Sequence, residues 1–427
     1  MLRLDVVLNF LSRRVGLVLL LLIPFLIRVG IYFSDFSFRL GWFGYDTDFY
    51  IDYGVKCVEE LSRGNFTILN IFTGHPPLGF MLIGLAVKLG GIFSSYYSAT
   101  LLMCLISSMI CVVVYYLGLN ISRKTGFIAW LLASIDPFYL RYTNTWLDIP
   151  MLLFLTLFYY YNLKEKNTYS FLAGVFGGLA VTCKYIAAPI IMLLTLLTKN
   201  SWRNKIIVLT VMVIIVMTIC PQLRSIENTT QILTGHYKSN VRGEEEWIIG
   251  ENVVFAWYPG RFWFRLDTFL WTYLYYFGLS LTQPFITPFI AYISIIYKLM
   301  KRENIGFNHY WLWLSISLII FAFIAKHWPY YDVIHVPPLT LITATLLTKT
   351  NMEIKKLKIF ILPALTYISL TPISLTSSLT FPTLWLFILT IINNKQILPL
   401  EYITSLILTI VLLLYSTITS VAIIKNR

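Results

Sequence analysis

Asp46, Asp48 and Asp52 stand close together just past the first apolar run of the chain, and His75-Pro76-Pro77 follows them at the head of a second apolar run. A carboxylate held at a membrane–water boundary can take the proton from an incoming hydroxyl. A lysine, an arginine or a helix N-terminus can hold a departing phosphate. Acids are costly in hydrocarbon, so this stretch belongs at a water-facing surface. An acidic loop lying against a bilayer suits chemistry in which a polar group meets a lipid-borne substrate.

The elements that must position these groups are helices. Of 427 residues, 58% are hydrophobic and only 12% are charged, and the mean hydropathy is +0.74. That composition excludes a soluble domain of this size and predicts an all-α, polytopic membrane protein. The net charge of +13 is an orientation signal rather than a nucleic-acid footprint, because lysine and arginine gather at one side of the predicted spans. No nucleic-acid motif, internal repeat or low-complexity tract occurs. Cys57, Cys104, Cys111, Cys183 and Cys220 form no CxxC and no metal spacing with histidine, so they read as small buried hydrophobes. The first apolar run contains Pro24 and Arg28 and lacks a small-residue cleavage site, which marks a retained span.

Flanking basic residues set the direction of each span. The first, 15–34, runs outward from a cytoplasmic N-terminus. Phe49, Tyr53, Cys57 and Leu61 recur at i, i+4 and predict a surface helix with Lys56, Glu59 and Arg63 turned to water. Residues 77–90, between Pro77 and the Gly90-Gly91 stop, are too few to cross and are placed in the outer leaflet. Spans then follow at 96–119, 126–141, 149–163, 169–183, 186–198, 206–222, 283–300, 309–325, 333–348, 358–375, 380–393 and 400–424, about 13 in all, with the C-terminus outside. Residues 266–282 read as interfacial, and the GEEEW run at 243–247 as a solvated face. The division is a transmembrane module 1–222 that includes the external loop 35–95, an external loop 223–282 with an interfacial helix, and C-terminal helices 283–427. In this arrangement Asp46, Asp48, His75, Asp136, Arg141, Asp148, Lys184, His327 and Asp332 all fall at outer ends of spans.

The motifs carry a family resemblance. The chain resembles a GT-C glycosyltransferase, of the type that includes protein O-mannosyltransferases and lipid A aminoarabinose transferases. Their first external loop carries Asp-Glu with a tyrosine three residues on; here Asp46-Thr47 with Tyr50 matches, with Thr in place of Glu. Their HPPLGKLLIGL pattern matches His75 to Gly79 and Leu82 to Leu85, with Phe80 in place of Lys. The segment Ile135–Leu157 is similar to their DP…LD stretch and places its second acid at Asp148. GLAVTCKYIA is similar to their Gly-Leu-Ala…Thr-Lys segment and places its lysine at Lys184, while KHWPYYDVIHVPPLTLI resembles a late Tyr…Pro-Pro segment.

The resemblance implies an inverting transfer of one sugar from a polyprenyl-phosphate donor, dolichyl or undecaprenyl, to a protein, lipid or glycan acceptor on the external face of the cell membrane. Asp46 is the general base. Asp48, Tyr50, His75 and Asp148 bind or orient the donor and acceptor. Lys184 holds the donor phosphate, with His75 second and Arg141 third. His327, Tyr330 and Tyr331 contact the donor lipid, or form an interfacial aromatic belt. Some GT-C enzymes use a divalent cation and others do not; here Asp48 and Asp148 are the candidate ligands. Each residue also has a structural reading: Asp46 and Asp148 as helix caps, His75 as a turn residue, Lys184 as a snorkelling cation, Asp136-Pro137 as a helix end. A transporter or flippase, or a non-catalytic subunit on the same fold, is the competing function. A transporter is expected to carry mid-membrane charge and a repeat, whereas here the polar residues gather at one face and no repeat is visible.

Overall fold

The computed structural model describes residues 14–34, 44–70, 75–91, 94–136, 139–140, 142–144, 147–236, 244–249, 252–257, 287, 309–322 and 333–349. These form helices α1 (Arg14–Ser34), α2 (Gly44–Ser62), α3 (Pro77–Leu89), α4 (Ser95–Leu119), α5 (Arg123–Ile135), α6 (Asp148–Asn162), α7 (Asn167–Cys183), α8 (Ala187–Leu197), α9 (Trp202–Ile219), α10 (Ile226–His236), α11 (His309–Ala322) and α12 (Val336–Lys349). One antiparallel hairpin, β1 (Glu244–Ile249) paired with β2 (Asn252–Trp257), joins them. The first strand begins within the GEEEW run, and the other regular elements among the described residues are helices. The spans expected at 283–300 (apart from Thr287), 358–375, 380–393 and 400–424, and the interfacial stretch 266–282, lie outside the described residues.

Two described helices, Ser95–Leu119 and Trp202–Ile219, are long and apolar enough to cross a membrane by length and composition. Others, among them Pro77–Leu89 and Ala187–Leu197, are shorter apolar helices. A 13-residue helix such as α3 rises only about 20 Å, which is short of a bilayer core.

Proline and arginine knit α1 to its neighbours. Pro24 lies inside α1 and has no N–H, so the carbonyl of Leu20, one turn earlier, loses its helical donor. The indole Nε1 of Trp130 donates to that carbonyl at 2.9 Å. Arg28, fully buried, donates to Ser107 Oγ at 2.8 Å and to the carbonyls of Ala133, Ser134 and Pro24. Ala133 and Ser134 sit in the last turn of α5, where carbonyls lack helical partners and the dipole favours a cation. The guanidinium also lies 4.9 Å from the Tyr139 ring centroid. An arginine in an apolar span is here a fully bonded tie between α1, α4 and α5.

Glycines set the closest crossings. A Cβ added at Gly84 of α3 would collide with the Gly54 carbonyl oxygen of α2, so the two backbones touch. Gly118 and Gly126 bring α4 and α5 together in the same way. On α7, a Cβ at Gly174 or Gly178 would lie 2.6 Å from Cβ of Val211 or Ile215 on α9. This is the small-residue packing that lets helices associate without a hydrophobic drive. Its register continues past the helix ends, since Tyr185 and Gln222 share the same 37-residue separation and are hydrogen bonded at 3.1 Å.

Candidate active site

The acidic stretch folds as α2, whose apolar stripe faces α3. Cys57 is buried, Tyr53 and Leu61 are half-buried, and Lys56 and Arg63 are exposed, as the i, i+4 pattern predicts, whereas Phe49 is exposed and Glu59 half-buried. The helix begins at Gly44 rather than after the acids, so Asp46, Asp48 and Asp52 all ride on it. Asp46 lies one turn before Tyr50, and Asp48 is exposed. Burial against α3 pushes the Cys57 thiol up to about 11. On the opposite, wetter face Lys88 of α3 bonds Glu59 and holds its carboxyl below the usual range.

Pro77 starts α3 after an extended Pro76, which fixes where His75 lies. The His75 and Tyr50 rings meet edge-on at 6.3 Å, and Phe80 packs on both, 5.4 Å from Tyr50 and 6.4 Å from His75. Phe80 is 1% exposed, sealed by Phe49, Tyr53 and Leu147. The position where related motifs carry a lysine is thus an aromatic plug between α2 and α3.

Behind that plug lies the start of α6. A Cβ on Gly79 would meet the Leu147 side chain and come within 3.8 Å of the Cys183 carbonyl, so the head of α3 abuts the head of α6 and the tail of α7. Leu147 is followed by Asp148, which is buried, and Cys183 by Lys184; Lys184 Nζ donates to Asp148 Oδ1 at 2.6 Å. The Tyr50–His75 contact and the Asp148–Lys184 pair thus both border the head of α3. Asp148 stands in the first turn of α6 with no side-chain cap at that helix's start; its carboxylate pairs with Lys184 instead.

Asp136 behaves as a helix-end residue. Its carboxylate accepts from Tyr139 N at 3.3 Å and from Thr287 N and Oγ1 at 3.1 and 2.5 Å. Arg141, His327, Tyr330 and Tyr331 lie outside the described residues. Asp48 is exposed and Asp148 is engaged by Lys184, and among the described residues no three metal-binding side chains converge. Tyr185 and Gln222, hydrogen bonded to each other beside Lys184, were not expected at this end. Only the α7–α9 register brings Gln222 there, and the glycine spacing on α7 was the available signal.

Residues 74–224 match the family model described as dolichyl-phosphate-mannose-protein mannosyltransferase. No curated protein matches the chain by sequence. Among solved structures, ArnT from Cupriavidus metallidurans bound to undecaprenyl phosphate shares the fold with a TM-score of 0.52 at 11% identity, over 94% of this chain and 75% of that one. The apo structure of the same protein gives a TM-score of 0.46 at 12% identity, over 86% of this chain and 71% of that one. In motifs, family-model match and fold, the chain resembles the GT-C glycosyltransferases of the protein O-mannosyltransferase and lipid A aminoarabinose transferase type.

Proposed function

We propose that this protein is a multi-pass membrane glycosyltransferase that moves one sugar from a polyprenyl-phosphate donor to a hydroxyl of a protein, lipid or glycan on the external face. The observation that carries the reading is the buried Asp148–Lys184 pair, next in sequence to Leu147 and Cys183 that abut the head of α3, the helix just before which His75 meets Tyr50 of the helix bearing Asp46. The family match, described by dolichyl-phosphate-mannose chemistry, and the likeness to a fold crystallised with undecaprenyl phosphate supply the donor class.

In this reading the acceptor oxygen attacks the anomeric carbon from the face opposite the phosphate, its proton passing to the Asp46 carboxylate. The bond from the anomeric carbon to the phosphate oxygen breaks, and the polyprenyl phosphate departs carrying the electron pair, so the configuration inverts. The leaving oxygen needs charge stabilisation rather than a strong acid. Lys184, oriented by Asp148, supplies the cation. His75 and Tyr50 flank the sugar, and Asp48, exposed on α2, meets the acceptor side. No step runs through a metal ion.

A second reading rests on Thr47 and the buried Phe80, which stand where related motifs carry Glu and Lys: a non-catalytic subunit on the same fold. Mass spectrometry of surface glycoproteins and glycolipids from cells with wild-type protein, with Asp46→Asn and with none separates the readings. The enzyme reading expects one monosaccharide to disappear in the last two while the variant protein persists in the membrane. Retained glycosylation with Asp46→Asn overturns the base assignment.

A further inference from the structure

We propose that the end of the bundle opposite the Asp148–Lys184 pair binds the phosphate headgroup of an anionic membrane lipid, at the junction of the α6–α7 and α8–α9 loops. Asp148 and Lys184 lie at the first turn of α6 and just past the last of α7. The 15 residues of α6 carry the chain about 20 Å to this other end.

Asparagines lock the two loops together. Asn200 Nδ2 donates to the carbonyl of Asn162 at 2.6 Å and to its Oδ1 at 3.3 Å, and Asn204 Nδ2 donates to the Glu165 carbonyl at 3.1 Å. Those bonds bring Lys164 and Lys166 on one loop beside Lys199 and Arg203 at the other, with Glu165 the acid between them. Lys166, Lys199 and Arg203 are exposed. Lys164 is fixed in place by tyrosines, its ammonium 3.8 Å from the Tyr160 ring and 4.8 Å from the Tyr169 ring. Like charges gathered on bonded loops repel one another, and a phosphate monoanion or diester neutralises them.

Two further features mark this as a receptor for an anion rather than an orientation signal alone. Asn162 is 1% exposed, and its Nδ2 donor has no hydrogen-bond partner among the described residues. A buried amide donor is costly to leave unmade. It belongs to the residue whose carbonyl and Oδ1 accept from Asn200 of the other loop. In addition, α7 opens at this junction with Lys166 at its N-cap and no side-chain capping bond, so the positive end of its dipole is not offset by a capping side chain.

The surroundings favour a lipid over a free anion. Trp202, Ile206 and Leu197, at 69%, 61% and 57% exposure, continue from the cations along α8 and α9. A tryptophan at headgroup level, with aliphatic surface beyond it, suits a molecule whose phosphate is followed by acyl chains.

The test uses the full-length protein in mild detergent, with phosphatidylglycerol, phosphatidylcholine and inorganic phosphate as probes, read by native mass spectrometry and thermal stability. Phosphatidylglycerol is expected to be retained in preference to phosphatidylcholine and to raise the unfolding midpoint. In Lys166→Gln/Lys199→Gln/Arg203→Gln its affinity should fall by about a hundredfold, since each cation near an anionic headgroup is worth roughly fivefold. Asn162→Asp, which keeps the acceptor for Asn200 and removes the donor, should weaken retention in a protein that still folds. Equal retention of the two lipids, unchanged affinity in the triple variant, or equal protection by inorganic phosphate would overturn the proposal.

Discussion

Lys184 and Asp148 form an ion pair whose side chains are 16% and 8% exposed. Two roles are open to such a pair: to hold α6 against α7, or to aim a cation at a phosphate. Substitution can separate them. Lys184→Met leaves a buried carboxylate without its counter-charge, and removing one partner of a buried pair costs about 3–5 kcal/mol. The partial exposure of Lys184 places this case near the lower end, about 3 kcal/mol. Asp148→Asn keeps an oxygen acceptor for the ammonium and should cost about 1–2 kcal/mol. Asp148→Leu/Lys184→Met removes both charges together, and replacing a whole buried pair by apolar side chains is often neutral. Its stability is expected to return to within about 1 kcal/mol of wild type. Thermal unfolding in detergent, followed by tryptophan fluorescence, gives the stability order. Transfer measured on washed membranes gives activity. If Lys184 holds the donor phosphate, the double variant is stable and inactive. A double variant that regains both stability and transfer refutes the phosphate role. A Lys184→Met protein as stable as wild type refutes the buried pair itself.

Other consequences are simpler to test. Gly84→Val places a branched Cβ against the Gly54 carbonyl, where even a bare Cβ would collide; it should lower stability by about 1–3 kcal/mol or more and abolish transfer by displacing α2, whereas wild-type behaviour would show that α2 and α3 do not cross there. Trp130→Phe strips the donor from the Leu20 carbonyl and should cost about 1–3 kcal/mol. Pro24→Ala in the same protein restores a helical N–H to that carbonyl, so the tryptophan's effect should shrink in the Pro24→Ala background. Cys57, with its thiol raised to about 11, is about 0.1% thiolate at pH 8; maleimide should modify it in the folded protein only after denaturation, and labelling that improves steeply towards pH 11 should be accompanied by unfolding.

Much of this was legible in the residues. Pro77 and Gly90 bracket α3, and Tyr53, Cys57 and Leu61 mark the buried face of α2, though Phe49 of the same stripe is exposed. Hydropathy misplaced the start of α9, because Arg203 and Lys205 read as loop. The helix begins instead at Trp202, where Ser201 Oγ accepts from Asn204 N at 3.3 Å. Lys205 then reaches back to the Leu196 carbonyl at 2.6 Å. A span prediction follows transfer free energy, whereas a helix start follows capping. Charge alone could not foretell the Arg28 network either, since most of its acceptors are backbone carbonyls on α1 and α5. The hairpin of 244–249 with 252–257 was hidden because GEEEW is acidic, and its pairing depends on NVVFAW further along the chain. Pairing of Lys184 with Asp148 was beyond any local pattern. It needs α6 and α7 to pack antiparallel with Leu147 lodged against Gly79, and that is decided by the register of glycines and side chains across several helices.

The aromatic plug and the ion pair bear on one another. Related motifs place a lysine one residue after the Gly79 position, at the head of the helix that abuts the site. Here that position is Phe80, buried among Phe49, Tyr50, Tyr53 and His75. Its ring surface tightens the α2–α3 crossing already forced by Gly54 and Gly84. In the proposed mechanism the cost is one cation fewer at the head of α3. Lys184 reaches the same end from α7, since a Cβ on Gly79 would lie 3.8 Å from the carbonyl of the preceding Cys183. Restoring the cation by Phe80→Lys should therefore not raise activity. It would bury an ammonium among rings, where the proposed role of Lys184 leaves no charge to be supplied, and the misfit should loosen α2 and with it Asp46. A gain of transfer in Phe80→Lys would mean that the pocket lies on the α3 side and that Lys184 serves only to hold Asp148.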